Sequence, residues 1–233
     1  MTNIVHLIDN MEFMRDLPDN AFDLAIVDLQ TGQGEDGGKQ RRSREVHVQK
    51  YWDRNREGQN YFDQLFRISN NQIIWQAQFY VNHIPVPDLG KIPGWICWDK
   101  KKYNSDYSDF EMAWTSFYRG NKIFIHSKTG GLVYKGMNIH PCQKPVLLYK
   151  WLLKNYAKPG WTIFDSHVGS GSIRIACHDM GFDFVGCELD PDYWQAQEDR
   201  FKTHIAQVQL IPPEEIQKGI YMDGNLFKPD SNT

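Results

Sequence analysis

The sequence lacks the features that mark membrane, secreted and metal-binding proteins. None of its apolar runs approaches the roughly 20 residues that a membrane-spanning helix needs. Its first residues do not resemble a signal peptide, so we expect a cytoplasmic protein. The four cysteines are not paired at metal-ligand spacing, and the eight histidines show no His-x-x-x-His pattern. We therefore expect reduced thiols and no metal site.

The chain also lacks the overall positive charge that is typical of nucleic-acid-binding proteins, since its formal net charge is −3. Residues 39–56 depart from this average, because seven cations and two anions leave a local charge of +5. A solvated loop and a phosphate-contacting loop both fit this composition. Lys39, Arg41, Arg42 and Arg44 are the candidate phosphate contacts.

The order of sequence patterns predicts one α/β domain. Short apolar runs with strand character alternate with stretches of helical periodicity. This alternation favours a mixed, mostly parallel sheet with helices on both faces. The strand-like runs lie near residues 4–9, 21–28, 72–75, 95–100, 111–115, 122–126, 161–163 and 184–190, and the helical patterns lie near residues 11–17, 61–68, 146–153 and 173–177.

The length of 233 residues suits a single domain with a substantial core. We expect this domain to span residues 1–210 and the tail over residues 211–233 to be peripheral. Since no second domain is evident, any target-recognition element must be built from loops. The candidate loops are residues 33–60, 100–110 and 127–139.

The most informative segment is residues 164–172, which read Phe-Asp-Ser-His-Val-Gly-Ser-Gly-Ser. It follows an apolar run and precedes a helical pattern, so it predicts a strand, a glycine turn and a helix start in that order. Glycines let the backbone approach a ligand closely, and the first turn of a helix offers unpaired N–H groups. This arrangement is typical of a cofactor-binding loop.

Two further segments lie at informative distances from that loop. Downstream, a strand-like run carries Glu188 near its end, about 20 residues after the glycines, where an acid can accept hydrogen bonds from both ribose hydroxyls. Upstream, residues 140–145 read His-Pro-Cys-Gln-Lys-Pro and precede an amphipathic helix. Near the N-terminus, Asp9 follows a strand-like run and can cap the next helix.

Together these segments resemble the S-adenosylmethionine-dependent amino-methyltransferases of DNA, in the permuted order that places the catalytic half before the cofactor half. That family carries His-Pro-Thr-Gln-Lys-Pro ahead of a Gly-Ser-Gly loop, and here only Cys142 replaces the threonine. The resemblance covers roughly residues 3–205. It implies a Rossmann-like class I methyltransferase fold with roughly seven strands.

The resemblance also implies roles for individual residues. Asp28, at the end of a strand-like run, would orient the amine of a flipped base, with adenine N6 favoured over cytosine N4. Lys144 would pair with the cofactor carboxylate, although a surface lysine before a helix fits as well. DNA is the implied partner and restriction-modification the implied context, while a homodimer and a hetero-subunit both stay open. The residues implied to bind S-adenosylmethionine are Asp9, Lys144, Asp165, Gly169, Ser170, Gly171 and Glu188.

The chain departs from the family at the catalytic turn. The family continues from the aspartate with Pro-Pro-Tyr, where the prolines fix the backbone and the tyrosine stacks on the flipped base. Here Asp28 is followed by Leu29, Gln30 and Thr31. Catalysis by positioning is sensitive to small losses of alignment. Three interpretations stay open: a methyltransferase with an altered acceptor pocket, a catalytically silent relative that binds DNA or a partner, and an engineered or inactivated chain.

Overall fold

The computed structural model describes residues 1–34, 50, 52–86, 90–103, 108–127 and 139–206. Within this part of the chain, no helix is both long and apolar enough to cross a membrane. The basic residues Lys39, Arg41, Arg42 and Arg44 lie outside the described residues, as do most of loop 127–139 and the tail over residues 211–233.

Strands and helices alternate along the described chain, as the sequence patterns predict. The strands are β1 (Asn3–Leu7), β2 (Leu24–Asp28), β3 (Gln72–Trp75), β4 (Trp95–Asp99), β5 (Phe110–Thr115), β6 (Lys122–Ile125), β7 (Thr162–Asp165) and β8 (Asp183–Glu188). The helices are α1 (Asn10–Arg15), α2 (Gln59–Ile68), α3 (Val146–Tyr156), α4 (Ser172–Met180) and α5 (Pro191–Ile205).

The eight described strands form one sheet in the order β1-β8-β7-β2-β3-β5-β4-β6. The first five strands in this order are parallel, β5 is antiparallel to β3 and β4, and β6 is parallel to β4. The prediction of a mixed, mostly parallel sheet is confirmed, with eight strands where roughly seven were expected.

The core lies on both faces of the sheet, because successive residues of a buried strand point to opposite sides. In β2, Leu24 and Ile26 pack with residues of α3 and α4, whereas Ala25 and Val27 pack with α2 on the other face. All four side chains are almost completely buried. Burial on both faces explains why this strand reads as a continuous apolar run.

The sheet reverses its winding direction between β2 and β7. These two parallel strands are neighbours, with Ala25 opposite Phe164, yet β2 leads through α2 to β3 on one side and β7 leads through α4 to β8 on the other. In open α/β sheets, a crevice forms at such a point outside the carboxyl ends of the strands. The fold therefore predicts a ligand site beside Asp28 and Asp165.

The helix α5 was not anticipated from the apolar patterns. It begins at Pro191 and is capped by Asp190, whose carboxylate accepts hydrogen bonds from the backbone N–H of Asp192 (2.9 Å) and Tyr193 (3.1 Å). Pro191 occupies the first helical position, where its missing N–H costs nothing. The Asp-Pro pair is the signal from which this helix could have been predicted.

Candidate functional site

A cavity of about 590 Å³ lies at the carboxyl ends of the parallel strands, at the point where the winding reverses. Its wall includes the segments that follow β1, β2, β7 and β8, namely residues 8–11, 28–31, 166–170 and 188–191. This volume is ordinary for a small-molecule site, for which about 300–1,000 Å³ is typical. The two ends of the cavity differ in the residues that form them and in the contacts that hold those residues.

The loop between β7 and α4 forms one wall. Gly169 and Gly171 have left-handed backbone angles, with φ of 51° and 70°, which glycine adopts without strain. Arg200 of α5 donates a hydrogen bond to the carbonyl oxygen of Ser170 at 2.6 Å, which ties the loop to that helix. A Cβ at Gly186 of β8 would overlap Val168 of the loop. Glycine at that position therefore lets the loop lie against the sheet.

Glu188 at the end of β8 fixes this loop from the neighbouring strand. Its two carboxylate oxygens accept hydrogen bonds from the backbone N–H of Gly169 (2.8 Å) and of Asp190 (2.9 Å). The side chain lines the cavity and is partly exposed. Burial raises the pKa of Glu188, although the two N–H groups oppose the shift. A carboxylate held in this orientation can still accept hydrogen bonds from a ligand.

Asp9 combines the two roles that its sequence context suggests. Its Oδ1 accepts hydrogen bonds from the backbone N–H of Met11 (2.9 Å) and Glu12 (3.1 Å), so it caps α1. The same residue lines the cavity beside Asn10. The capping prediction is confirmed, and the cofactor role stays a prediction.

Asp165 ends β7, as predicted, but it lies behind the cavity wall. The side chain is buried, and its Oδ1 accepts a hydrogen bond from the backbone N–H of His167 at 2.9 Å. Burial raises the pKa of Asp165 to about 7, against an ordinary value of 3.8. Neither Asp165 nor Gly171 is among the described residues that line the cavity. Both support the loop from within.

At the other end of the cavity, Lys144 bridges two carboxylates. Its Nζ lies 2.5 Å from Asp28 Oδ2 and 2.9 Å from Glu111 Oε2, and Lys100 lies 3.4 Å from the other Glu111 oxygen. The Lys144 side chain is 3% exposed. Burial alone would lower the pKa of Lys144, but Asp28 and Glu111 raise it above its ordinary value. Lys144 also lines the cavity, so its contact with the cofactor stays a prediction beside the observed contact with Asp28.

Asp28 keeps part of its surface open to the cavity. Its side chain is 19% exposed, and the contact with Lys144 uses Oδ2. Burial raises the pKa of Asp28, although Lys144 opposes that shift. The adjoining Leu29 is buried, whereas Gln30 and Thr31 are partly exposed and line the cavity.

A hydrogen-bonded chain of side chains runs from the buried Tyr61 to Ser166, His167 and Glu57 in the cavity wall, and sequence reasoning missed it. The hydroxyl groups of Tyr61 and Ser166 lie 2.6 Å apart, Ser166 Oγ lies 2.8 Å from His167 Nδ1, and His167 Nε2 lies 3.0 Å from Glu57 Oε1. Burial alone would lower the pKa of His167, but Glu57 raises it. No spacing rule connects residues 110 positions apart, so no local signal could have found this pair.

Comparisons with known proteins match this chain to one family. A model of the N6/N4 DNA methylase family matches residues 36–199. The protein named "Putative methylase YubD" of Escherichia coli (strain K12) is 33% identical over 101 residues, which are 43% of this chain and 40% of that protein. The match to this curated relative thus spans less than half of its length.

Solved structures resemble the chain over most of its length. The M1.HpyAVI–SAM complex is 18% identical with a TM-score of 0.54, covering 84% of this chain and 98% of that one. The cytosine-N4-specific PvuII DNA methyltransferase is 12% identical with a TM-score of 0.55, covering 94% of this chain and 93% of that one. At such identities the likeness shows a shared fold, and it confirms the Rossmann-like class I methyltransferase architecture.

Proposed function

Because this chain belongs to the N6/N4 DNA methylase family, we propose that it transfers a methyl group from S-adenosylmethionine to an exocyclic amine of a DNA base, with adenine N6 favoured. The observation that carries the proposal is the meeting of Glu188, the Gly169 loop and Asp28 around one cavity. In this proposal Glu188 accepts hydrogen bonds from the ribose and Asp28 accepts one from the amine, within a single site.

Four of the implied cofactor residues fit the cofactor. Glu188 presents a fixed carboxylate suited to ribose hydroxyls, Asp9 lies beside it, and Gly169 and Ser170 bring backbone close to the cavity. Asp165 and Gly171 hold the loop from inside. S-adenosylmethionine, when bound, supplies a methyl carbon that its sulfonium makes electrophilic.

At the acceptor end, Asp28 performs the positioning step. An exocyclic amine is a weak nucleophile because its lone pair is delocalised into the ring. When the carboxylate of Asp28 accepts one amine N–H, the nitrogen moves toward tetrahedral geometry and its lone pair becomes available. Lys144 holds Oδ2 of that carboxylate at 2.5 Å, so Oδ1 is the oxygen we assign to the amine.

The basic residues Lys39, Arg41, Arg42 and Arg44 are proposed to contact DNA phosphates. Neutralising phosphates releases counterions, so affinity should fall steeply with salt. Reversing the charge of Arg41, Arg42 and Arg44 should weaken DNA binding and flatten its salt dependence. Unchanged affinity and slope would remove these residues from the interface.

A second candidate is a catalytically silent DNA-binding or partner subunit. The observation that favours it is the buried contact between Lys144 and Asp28, which occupies one carboxylate oxygen, together with the loss of the stacking tyrosine at Thr31. In that case the cofactor end would be retained for structure or ligand sensing.

Labelled methyl transfer to mixed-sequence DNA separates the two candidates. We expect incorporation of label by the wild-type chain and a loss of at least about a hundredfold in Asp28→Ala, because catalysis depends on alignment of the amine. Nucleoside analysis of the product should show N6-methyladenine. Absence of label with the wild-type chain, with intact DNA binding, would favour the silent subunit.

Calorimetric titration with S-adenosylmethionine tests the cofactor end separately. Glu188→Gln keeps the side-chain shape but removes the charge, so we expect about tenfold weaker binding, in line with roughly 1.5 kcal/mol for a charge-assisted hydrogen bond. Asp28→Ala is the matched control and should bind the cofactor nearly as the wild-type chain does. Equal affinity in all three proteins would exclude Glu188 as a ligand.

A further inference from the structure

The turn that follows Asp28 is held by a buried carboxylate from a distant part of the chain. Asp53 Oδ1 accepts hydrogen bonds from the backbone N–H of Thr31 (2.6 Å) and Gly32 (2.8 Å). Its Oδ2 accepts a hydrogen bond from the Thr31 hydroxyl at 2.9 Å. A single side chain thus binds three groups within two residues of the turn.

Two further side chains bind the carbonyl oxygens of the same turn. Arg56 Nε donates a hydrogen bond to the Thr31 oxygen at 2.8 Å, and the Tyr80 hydroxyl donates one to the Gln30 oxygen. The guanidinium of Arg56 also lies over the ring of Phe79, 4.9 Å from its centroid. The turn is therefore held through both its N–H groups and its carbonyl groups.

The carboxylate of Asp53 is buried, so it depends on the hydrogen bonds from the turn. The residue is 1% exposed although it carries a carboxylate. A buried carboxylate is stable only where hydrogen-bond donors replace its water, and the turn supplies three of them. None of the contacts described involves the carbonyl of Leu29, the residue next to Asp28. Leu29, Thr31 and Asp53 all line the cavity, so these hydrogen bonds lie at the acceptor end itself.

We propose that Asp53 is a positioning residue for methyl transfer, and that with Arg56 and Tyr80 it fixes the backbone of residues 30–32, directly after Asp28 and Leu29. This inference rests on the proposed function. Prolines at positions 29 and 30 would restrict φ covalently, whereas here side-chain hydrogen bonds restrict the adjoining residues. The turn thereby limits the movement of Asp28 at the acceptor end without the two prolines.

The central test compares Asp53→Ala with Asp53→Asn. The alanine variant removes all three contacts, and we expect kcat to fall about a hundredfold, as for a misplacement of about 1 Å. The asparagine variant keeps an oxygen for the two backbone N–H groups and offers an N–H to Thr31 Oγ1, so it should recover most of kcat. Asp16→Ala, at an exposed surface ion pair, controls for loss of a carboxylate.

Two readouts distinguish positioning from general folding support. Asp53→Ala should leave the dissociation constant for S-adenosylmethionine within about twofold of wild type, because Asp53 acts at the acceptor end. A parallel loss of kcat, cofactor affinity and melting temperature in both Asp53 variants would overturn the proposal. Unchanged kcat in Asp53→Ala would overturn it as well.

Hydrogen exchange tests the contacts without any assay of activity. The backbone amides of Thr31 and Gly32 should exchange slowly in the wild-type chain, and at least about tenfold faster in Asp53→Ala. Unprotected amides in the wild-type chain would refute the hydrogen-bonded turn. A wild-type chain that methylates no DNA would refute the proposed function, and protected amides would still establish that Asp53 fixes the turn.

Discussion

The two ends of the cavity are held together in different ways. At the cofactor end, Asp165 and Glu188 bind backbone N–H groups within about 20 residues along the β7–α4–β8 unit. At the acceptor end, Asp28 is joined to Lys144 across 116 residues, and Thr31 to Asp53 across 22. The first end is held mostly by local contacts to backbone N–H groups, with Arg200 added from α5. The second end also contains a buried ion pair between residues far apart in the chain.

This difference indicates which end of the cavity can tolerate changes in sequence. A local unit of strand, glycine turn and strand takes most of its support from its own short sequence. A site assembled from distant side chains can replace one means of support by another, as when Asp53 accepts hydrogen bonds from the turn in a chain that lacks the two prolines. The acceptor end should therefore be more sensitive to loss of a single charge, and the cofactor end to loss of backbone shape.

The largest effect is expected from removal of the central cation at the acceptor end. Lys144→Met leaves the Asp28 and Glu111 carboxylates facing each other in a largely buried place. Breaking a buried ion pair by removing one partner costs about 3–5 kcal/mol. We expect the free energy of unfolding, measured by urea titration, to fall by about 4 kcal/mol.

A version of the cluster that loses one charge of each sign is the matched control. Combining Lys144→Met with Asp28→Asn leaves Glu111 paired with Lys100, so most of the lost stability should return. If Lys144→Met alone were as stable as the wild-type chain, charge would not hold the acceptor end together, and the contrast between the two ends would fail.

A smaller effect, which depends on pH, is expected at the cofactor end. Burial raises the pKa of Asp165 to about 7 from an ordinary 3.8. Between these values the unfolded chain loses the proton while the folded chain keeps it, so this residue lowers stability as pH rises from about 4 to about 7. Asp165→Asn cannot lose a proton and keeps the acceptor for His167 N–H.

The stability gain of Asp165→Asn over wild type should therefore grow by about 2–3 kcal/mol from pH 5 to pH 7, and stay constant above about pH 8. Urea unfolding at four pH values measures this difference. Asp16→Asn, at an exposed position, should follow the wild-type chain throughout. A gain that does not change with pH would show that Asp165 is ionised in the folded protein.

The smallest effect concerns backbone shape in the cofactor loop. Gly169→Ala meets only ordinary contact with His140, the nearest atom lying 3.5 Å from the added Cβ, but it must adopt a φ of +51°. Gly160→Ala faces open space at a φ of +81° outside the cavity. Each should lose about 1 kcal/mol of stability, and only Gly169→Ala should weaken binding of S-adenosylmethionine, by about fivefold. Equal binding by both variants would show that this loop tolerates distortion.

The sequence allowed prediction of the locally encoded half of the molecule. The strand ending at Asp165, the glycine turn and the placement of Glu188 follow from residues close together in the chain, and each lies where it was expected. The contacts of Lys144 with Glu111 and of His167 with Glu57 could not be predicted, because they depend on which strands become neighbours. The periodicity of apolar residues predicts which segments form strands, but it does not predict the order of those strands in the sheet.

Asp53 also holds the residue that precedes positions 35–49. Its backbone carbonyl accepts a hydrogen bond from the Gly34 N–H at 3.0 Å. On the other side of positions 35–49, Lys50 Nζ lies 3.1 Å from Asp190 Oδ2. Gly34 and Lys50, the described residues on either side of positions 35–49, are thus both held to the rest of the protein. Under the proposed function, exchanging the sequence between these two residues would change the contacts to DNA while the turn next to Asp28 keeps its hydrogen bonds.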